Sequence, residues 1–272
     1  MRFSLTALAG CVALVAALNS TPAEPKTGAP VPLRERTPCA HPDAFAMGQS
    51  GPWAPGIYVI GDSISLLVPY GPTNTAAGLH TWERVGIGWN VMCHSVPGGD
   101  TNDPAPGHDI GDDGDADSFG DAGRSPAQAV WIELGSNDIA CIMPGCPGTP
   151  PDPVLVEFQR IFTEVDAEAQ RLADRGKCVV WAGAREIDRR GTPPEVARAF
   201  NQHLRDLQNR WPGRFFYVDY HAYSYQNEAL RRSLDDPIPG QNPPDGLHPR
   251  TAEGRQAIAS LELWTSRAHC GI

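Results

Sequence analysis

Ile57-Tyr58-Val59-Ile60-Gly61-Asp62-Ser63 sets four apolar residues directly against a glycine, a carboxylate and a hydroxyl. An unbroken apolar run of this kind suits a strand buried on both faces, the habit of strands in parallel sheets covered by helices. Runs of similar character recur downstream. Ala129 to Leu134, Cys178 to Ala182 and Phe215 to Val218 read as strands, and Asn90 to Val96 reads as the second strand of the series. Between them, Pro153 to Arg175 carries Val156, Ile161, Val165 and Leu172 on one stripe, with Gly176 placed to stop the helix. Pro194 to Trp211 opens a second helix with prolines, and Thr251 to Ala268 forms a closing one. Strands alternating with helices predict a mostly parallel sheet with helices on both faces, in one domain. Residues 97 to 126, rich in Gly, Pro and Asp, read as a loop.

The chain has 272 residues, a hydrophobic fraction of 41% and a net charge of -10, the composition of a globular protein able to bury one large core. The acidic balance argues against nucleic acid, whose phosphates call for clustered Lys and Arg; only Lys26 and Lys177 are lysines. Phe3 to Leu18 is apolar and uncharged behind Arg2, and Asn19 to Pro22 break it, so residues 1–22 read as a secretory signal rather than a stable membrane span. Leu8-Ala9-Gly10-Cys11 also spells a lipobox, the alternative being a lipid anchor at Cys11, but the apolar run continues past that cysteine. Residues 23–55 are a Pro- and Ala-rich linker and N-terminal extension, ahead of a domain over 56–272.

In a sheet of this class, sites form beyond the carboxyl ends of the strands. There the sequence places Gly61-Asp62-Ser63, Gly98-Gly99-Asp100-Thr101 and Gly135-Ser136-Asn137-Asp138, while Asp245-Gly246-Leu247-His248-Pro249 precedes the closing helix. These are the parts of an acyl-transfer site. Ser63, expected at the start of a helix, is a hydroxyl nucleophile that needs a base, His248 supplies an imidazole, and Asp245 stands three residues away to fix its tautomer. The Ser63 N–H, a glycine N–H and the Asn137 amide would donate to a developing oxyanion. Each block alone has a plainer reading, as a capping serine, an Asx turn or a surface ion pair. Their joint order and placement favour the chemical one.

These four blocks, with Ile64 completing the first, resemble the SGNH or GDSL-type hydrolase superfamily of secreted esterases and lipases, over about residues 57 to 265. The resemblance implies a three-layer α/β/α sandwich with a mostly parallel five-stranded sheet in flavodoxin-like order, and no cofactor. It implies Ser63, Asp245 and His248 as catalytic residues, and Ser63, Gly99 and Asn137 as the oxyanion hole. Ile64 stands where the family name has leucine, and Arg250 where a small polar residue is frequent. The resulting expectation is a secreted serine esterase acting on carboxylic esters with small or medium acyl groups, whether small-molecule, lipid or glycan, and working as a monomer. The alternatives are a transacylase using the same site on an extracellular glycan or lipid acceptor, and a non-catalytic glycan- or lipid-binding module. No G-x-S-x-G, S-x-x-K, H-E-x-x-H or dinucleotide fingerprint is present.

Besides Cys11 there are six cysteines, an even number that suits disulfides in an exported chain, and none has zinc spacing. Cys141 and Cys146 flank a Pro-Gly turn and are expected to pair. Cys178 opens a strand at the end of the sheet remote from the site, where the closing helix also delivers Cys270, so these two are paired. Cys39–Cys93 follows by elimination. Eight aspartates lie between Asp100 and Asp121, but Ser118 and Arg124 occupy the Gly and Glu positions of a calcium loop begun at Asp113, so no metal is expected. Trp131 and Trp181 read as core, and the other histidines, His94 included, lack a partner pattern.

Overall fold

The computed structural model describes residues 45–47, 55–85, 89–90, 108–109, 118–140, 154–188, 192–239 and 241–272. Its strands are β1 (Phe45–Met47), β2 (Gly56–Gly61), β3 (His80–Val85), β4 (Trp89–Asn90), β5 (His108–Asp109), β6 (Ala129–Glu133), β7 (Cys178–Ala182) and β8 (Phe215–Val218). Its helices are α1 (Tyr70–Ala76), α2 (Ser118–Arg124), α3 (Ser136–Ala140), α4 (Val154–Asp174), α5 (Pro194–Arg210), α6 (Tyr220–Gln226), α7 (Glu228–Asp235) and α8 (Ala252–Cys270). The main sheet runs β1-β3-β2-β6-β7-β8, and β4 pairs with β5 in a separate small sheet. All neighbours from β3 to β8 are parallel, and only the β1 edge, inside the N-terminal extension, is antiparallel. Numbered by sequence, the five parallel strands have the flavodoxin-like order 2-1-3-4-5.

Alternation along the central strands builds two cores. Tyr58, Ile60, Val130, Ile132, Val179 and Trp181 face Phe158, Ile161 and Val165 of α4 and Phe200 and Leu204 of α5. Ile57, Val59, Ala129, Trp131, Val180 and Ala182 face Tyr70 of α1, Leu230 and Leu234 of α7, and Ile258 and Leu261 of α8. Since both faces carry helices, β2 and β6 are buried at every position, which is why they read as apolar runs. The three-layer α/β/α architecture is thus written into the strands themselves. Helix ends follow local chemistry. Pro194 opens α5, and Gly176 and Lys177 N–H groups return to the carbonyls of Ala173 and Leu172 behind α4.

Three expectations are corrected. The second parallel strand is His80–Val85, not Asn90–Val96; Asn90 belongs to the small sheet, and 91–96 lie outside the described residues. Part of the loop assigned to 97–126 is helix α2, whose Phe119 and Ala122 are buried in the core. Ser63 opens a run of turns rather than a helix, and helix begins only at Tyr70. Two bonds account for that delay: Ser65 N–H returns to Asp62 and Val68 N–H to Ser65, both spanning three residues. Pro69 then disfavours helical backbone at Val68.

Candidate active site

The β2 and β6 strands lie side by side at the switch in strand order, where their carboxyl ends open a crevice. After β2, the buried Asp62 shapes the turn that presents Ser63. Its Oδ1 accepts the Ile64 N–H at 2.8 Å, and its own N–H donates to the Glu133 carbonyl at 3.3 Å. After β6, Gly135 takes φ +114°, and a β-carbon there would run into the Phe200 ring; only glycine fits. The chain then enters α3, from which Asn137 Nδ2 donates to Asp62 Oδ2 at 3.3 Å.

The third contributor arrives from the far side of the sequence. His248 Nε2 lies 2.8 Å from Ser63 Oγ, and His248 Nδ1 lies 2.5 Å from Asp245 Oδ2. Asp245 Oδ1 accepts the backbone N–H groups of Leu247 and His248, each at 2.9 Å, so the carboxylate organises its own loop. Partial burial pushes the Asp245 carboxyl up, yet the His248 ring and these two N–H groups outweigh it and hold the carboxyl well below the usual carboxylate range. With an ionised acceptor on Nδ1, the tautomer that leaves Nε2 unprotonated is favoured, the form that can accept the Ser63 proton.

Two arginines brace this loop. Arg185, its side chain fully buried, forks onto Asp235 through two 2.6 Å contacts, donates to the Gly246 carbonyl at 2.7 Å and to Ser224 Oγ at 3.0 Å. Arg250 donates to the carbonyls of Ser233, Asn242 and Asp236. Gly246 itself sits at φ +73°, where a β-carbon would approach Ile187 Cδ1 to 2.9 Å. A small cleft beside the loop is lined by Ser136, Ile139, Ile187, Ala197 and Leu247, with Arg185.

The structure therefore brings together Ser63, Asp245 and His248, with Asn137 tied to the same turn through Asp62. Gly99, Cys39, Cys93, Cys141, Cys146 and His94 lie outside the described residues, as does most of the Asp-rich segment. Cys178 and Cys270 form a disulfide with α-carbons 5.6 Å apart, as the topology predicted. His203, read as lacking a partner pattern, contacts Asp166 at 2.6 Å and stacks on Phe162 between the outer helices. Sequence reasoning missed Arg185 and Glu133. Arg185 stands three residues beyond Ala182, at one of the strand ends where sites form, and Glu133 is the one carboxylate in an apolar strand. Among the described residues, no group of three or more His, Cys, Asp or Glu is placed to hold a metal ion, and no helix is long and apolar enough to cross a membrane.

No family model and no curated protein matches the chain. Solved structures do. A catalytic mutant of an acetylxylan esterase from Geobacillus stearothermophilus aligns with TM-score 0.50 and 12% identity, over 80% of this chain and 94% of that one. A carbohydrate esterase family 2 enzyme with a carbohydrate-binding domain, from Corynascus thermopiles (Myceliophthora fergusii), gives 0.49 and 16% over 82% and 69%. The psychrotrophic esterase EstA from Pseudoalteromonas sp. gives 0.48 and 14% over 78% and 96%. At such identities the likeness is one of fold alone, the α/β/α architecture described above.

Proposed function

We propose that the protein is an exported serine esterase that hydrolyses carboxylic esters of small or medium acyl groups through an acyl-enzyme on Ser63. A shared fold does not set function; the reading is carried by the continuous relay from Ser63 Oγ to His248 Nε2, and from His248 Nδ1 to Asp245. His248 takes the Ser63 proton as Oγ attacks the ester carbonyl, and Asp245 stabilises the imidazolium that results. The tetrahedral oxyanion is met by the Ser63 N–H, the Gly99 N–H and Asn137. A primary amide nitrogen carries two hydrogens, and the Asn137 bond to Asp62 fixes the orientation of that group. His248 then passes its proton to the leaving alkoxide, and a water activated by the same imidazole releases the acid. Export by the signal over residues 1–22 accords with the Cys178–Cys270 bond, which persists in oxidising compartments.

The test is turnover of p-nitrophenyl acetate, with and without an alcohol acceptor, in the wild type and in Ser63→Ala. Hydrolysis that falls by about 10⁴-fold or more in the variant, with the fold intact, supports the esterase. Product that appears only with acceptor would assign a transacylase, and no turnover a binding module. A serine-directed phosphonate should label Ser63; full labelling of Ser63→Ala would place the nucleophile elsewhere.

A further inference from the structure

We infer that Glu133 is a positioning residue that clamps the Ser63 turn onto the strand leading to Asn137. The inference rests on Ser63 acting as the nucleophile. Glu133 closes β6, is 5% exposed, and touches neither His248 nor Asp245 in the relay described above. Its Oε2 accepts two hydroxyls, from Ser65 at 2.6 Å and from Tyr70 at 2.8 Å. Both donors are buried, and they stand at the two ends of the segment that links the Ser63 turn to α1. The backbone carbonyl of Glu133 also accepts the Asp62 N–H. One residue therefore grips the segment at Asp62, Ser65 and Tyr70, on either side of Ser63.

Geometry says what the clamp is for. Ser63 and Asn137 are delivered by different strands, so their separation depends on how the turn after β2 is held against the end of β6. Gly61 of β2 is in register with Glu133, which places the clamp at the level where the two strands release their loops. The Ser63 turn is closed by the Asp62–Ser65 and Ser65–Val68 backbone bonds and by the Asp62 carboxylate on the Ile64 N–H, and Asp62 ties its upstream side to Asn137; Glu133 adds the hold downstream of Ser63, at Ser65 and Tyr70. A misplacement of about 1 Å can cost 10²-fold in rate.

The carboxyl serves as a hydrogen-bond acceptor, and its burial disfavours the charged form. Burial pushes it up to about 7, the nearby Asp62 charge adds to this, and the two hydroxyls pull against it. All of its bonding within the protein is on Oε2, Oε1 being without a partner. A glutamine, with its carboxamide oxygen at Oε2, reproduces that pattern.

The experiment compares wild type, Glu133→Gln, Glu133→Ala and Ser65→Ala by kcat, KM and the rate at which a phosphonate labels Ser63. Glu133→Gln should stay within about threefold of wild type, whereas Glu133→Ala and Ser65→Ala should each slow labelling and kcat by about tenfold or more, with KM moving less than about twofold. Ser65→Ala removes one small hydroxyl and carries the test if Glu133→Ala does not fold. Labelling at the wild-type rate in Ser65→Ala overturns the inference, as does a Glu133→Gln protein that is folded and as slow as Glu133→Ala. Wild type that is not labelled at Ser63 overturns the nucleophile assignment and the inference with it; labelled wild type with unaffected variants overturns the inference alone.

Discussion

Asn137 is tied to the Ser63 turn and Arg185 to the His248 loop, and their removal should be felt in different measurements. Asn137 is held by Asp62 and points an amide at the turn of Ser63, so under the proposed mechanism its loss removes a donor to the charge that develops on the substrate. Asn137→Ala should lower kcat by about 10²–10³ with little change in KM or melting temperature, which steady-state kinetics and thermal melts will show. An effect confined to KM would make it a substrate-positioning group. Arg185 belongs to the framework. Its guanidinium is out of water and its fork joins Asp235 to the Gly246 carbonyl, so Arg185→Ala leaves a carboxylate and a carbonyl short of donors. Because Asp235 keeps partial access to water, about 3 kcal/mol of stability should be lost, at the low end for a broken buried pair, and urea unfolding measures it. Arg185→Lys should recover little, since a point charge cannot fork.

At the scale of elements, the start of α8 is where loop order and helix order meet. Thr251 Oγ1 accepts the Gly254 N–H at 3.0 Å, and the helix it caps begins at Ala252, four residues after His248. Thr251→Ala should cost about 1 kcal/mol in unfolding experiments. Legibility in the sequence divides along similar physical lines. The β2, β6 and β7 strands are covered on both faces, so burial leaves an apolar run that can be read directly. The β3 strand is buried only at Thr81 and Val85, and its Glu83 and Arg84 disguise it as loop. Helix α2 is short and built of Ser, Gly and Asp around Phe119, a composition that favours turns in isolation and is overridden by one buried aromatic. Among site residues, Asp245 and His248 were legible because their contact spans three residues, and Ser63 and Asn137 because they follow strand ends. The ties of Glu133 to Ser65 and of Arg185 to Gly246 cross 68 and 61 residues. Nothing local in the sequence announces a contact of that length.

At the scale of the whole molecule, two buried acids among the described residues have their charge disfavoured. Burial pushes Glu133 to about 7 and Glu262 of α8 to about 8; at Glu262 the Asn74 amide pulls down and Glu83 pushes up. Both lie above the 4.5 of an exposed glutamate, so between about pH 5 and 8 these two sites bind more protons in the folded chain than in the unfolded one. Stability from these groups is fully present below pH 4.5 and is lost as pH rises through 7 and 8. The melting temperature should decline over that window, and Glu262→Gln should flatten its upper part; an unchanged slope would remove Glu262 as the cause. The Cys178–Cys270 bond has a consequence of another kind. It closes a covalent ring spanning 92 residues of sequence separation, which contains Asp245 and His248 and leaves Ser63 outside. A protease that cuts one peptide bond within the ring, for instance in the segment between Asp236 and Asp245, releases no fragment. The nicked chain stays in one covalent piece, heavier only by the water added at the cut, until reductant is added, and His248 and Ser63 stay tethered through sulfur where the backbone no longer joins them.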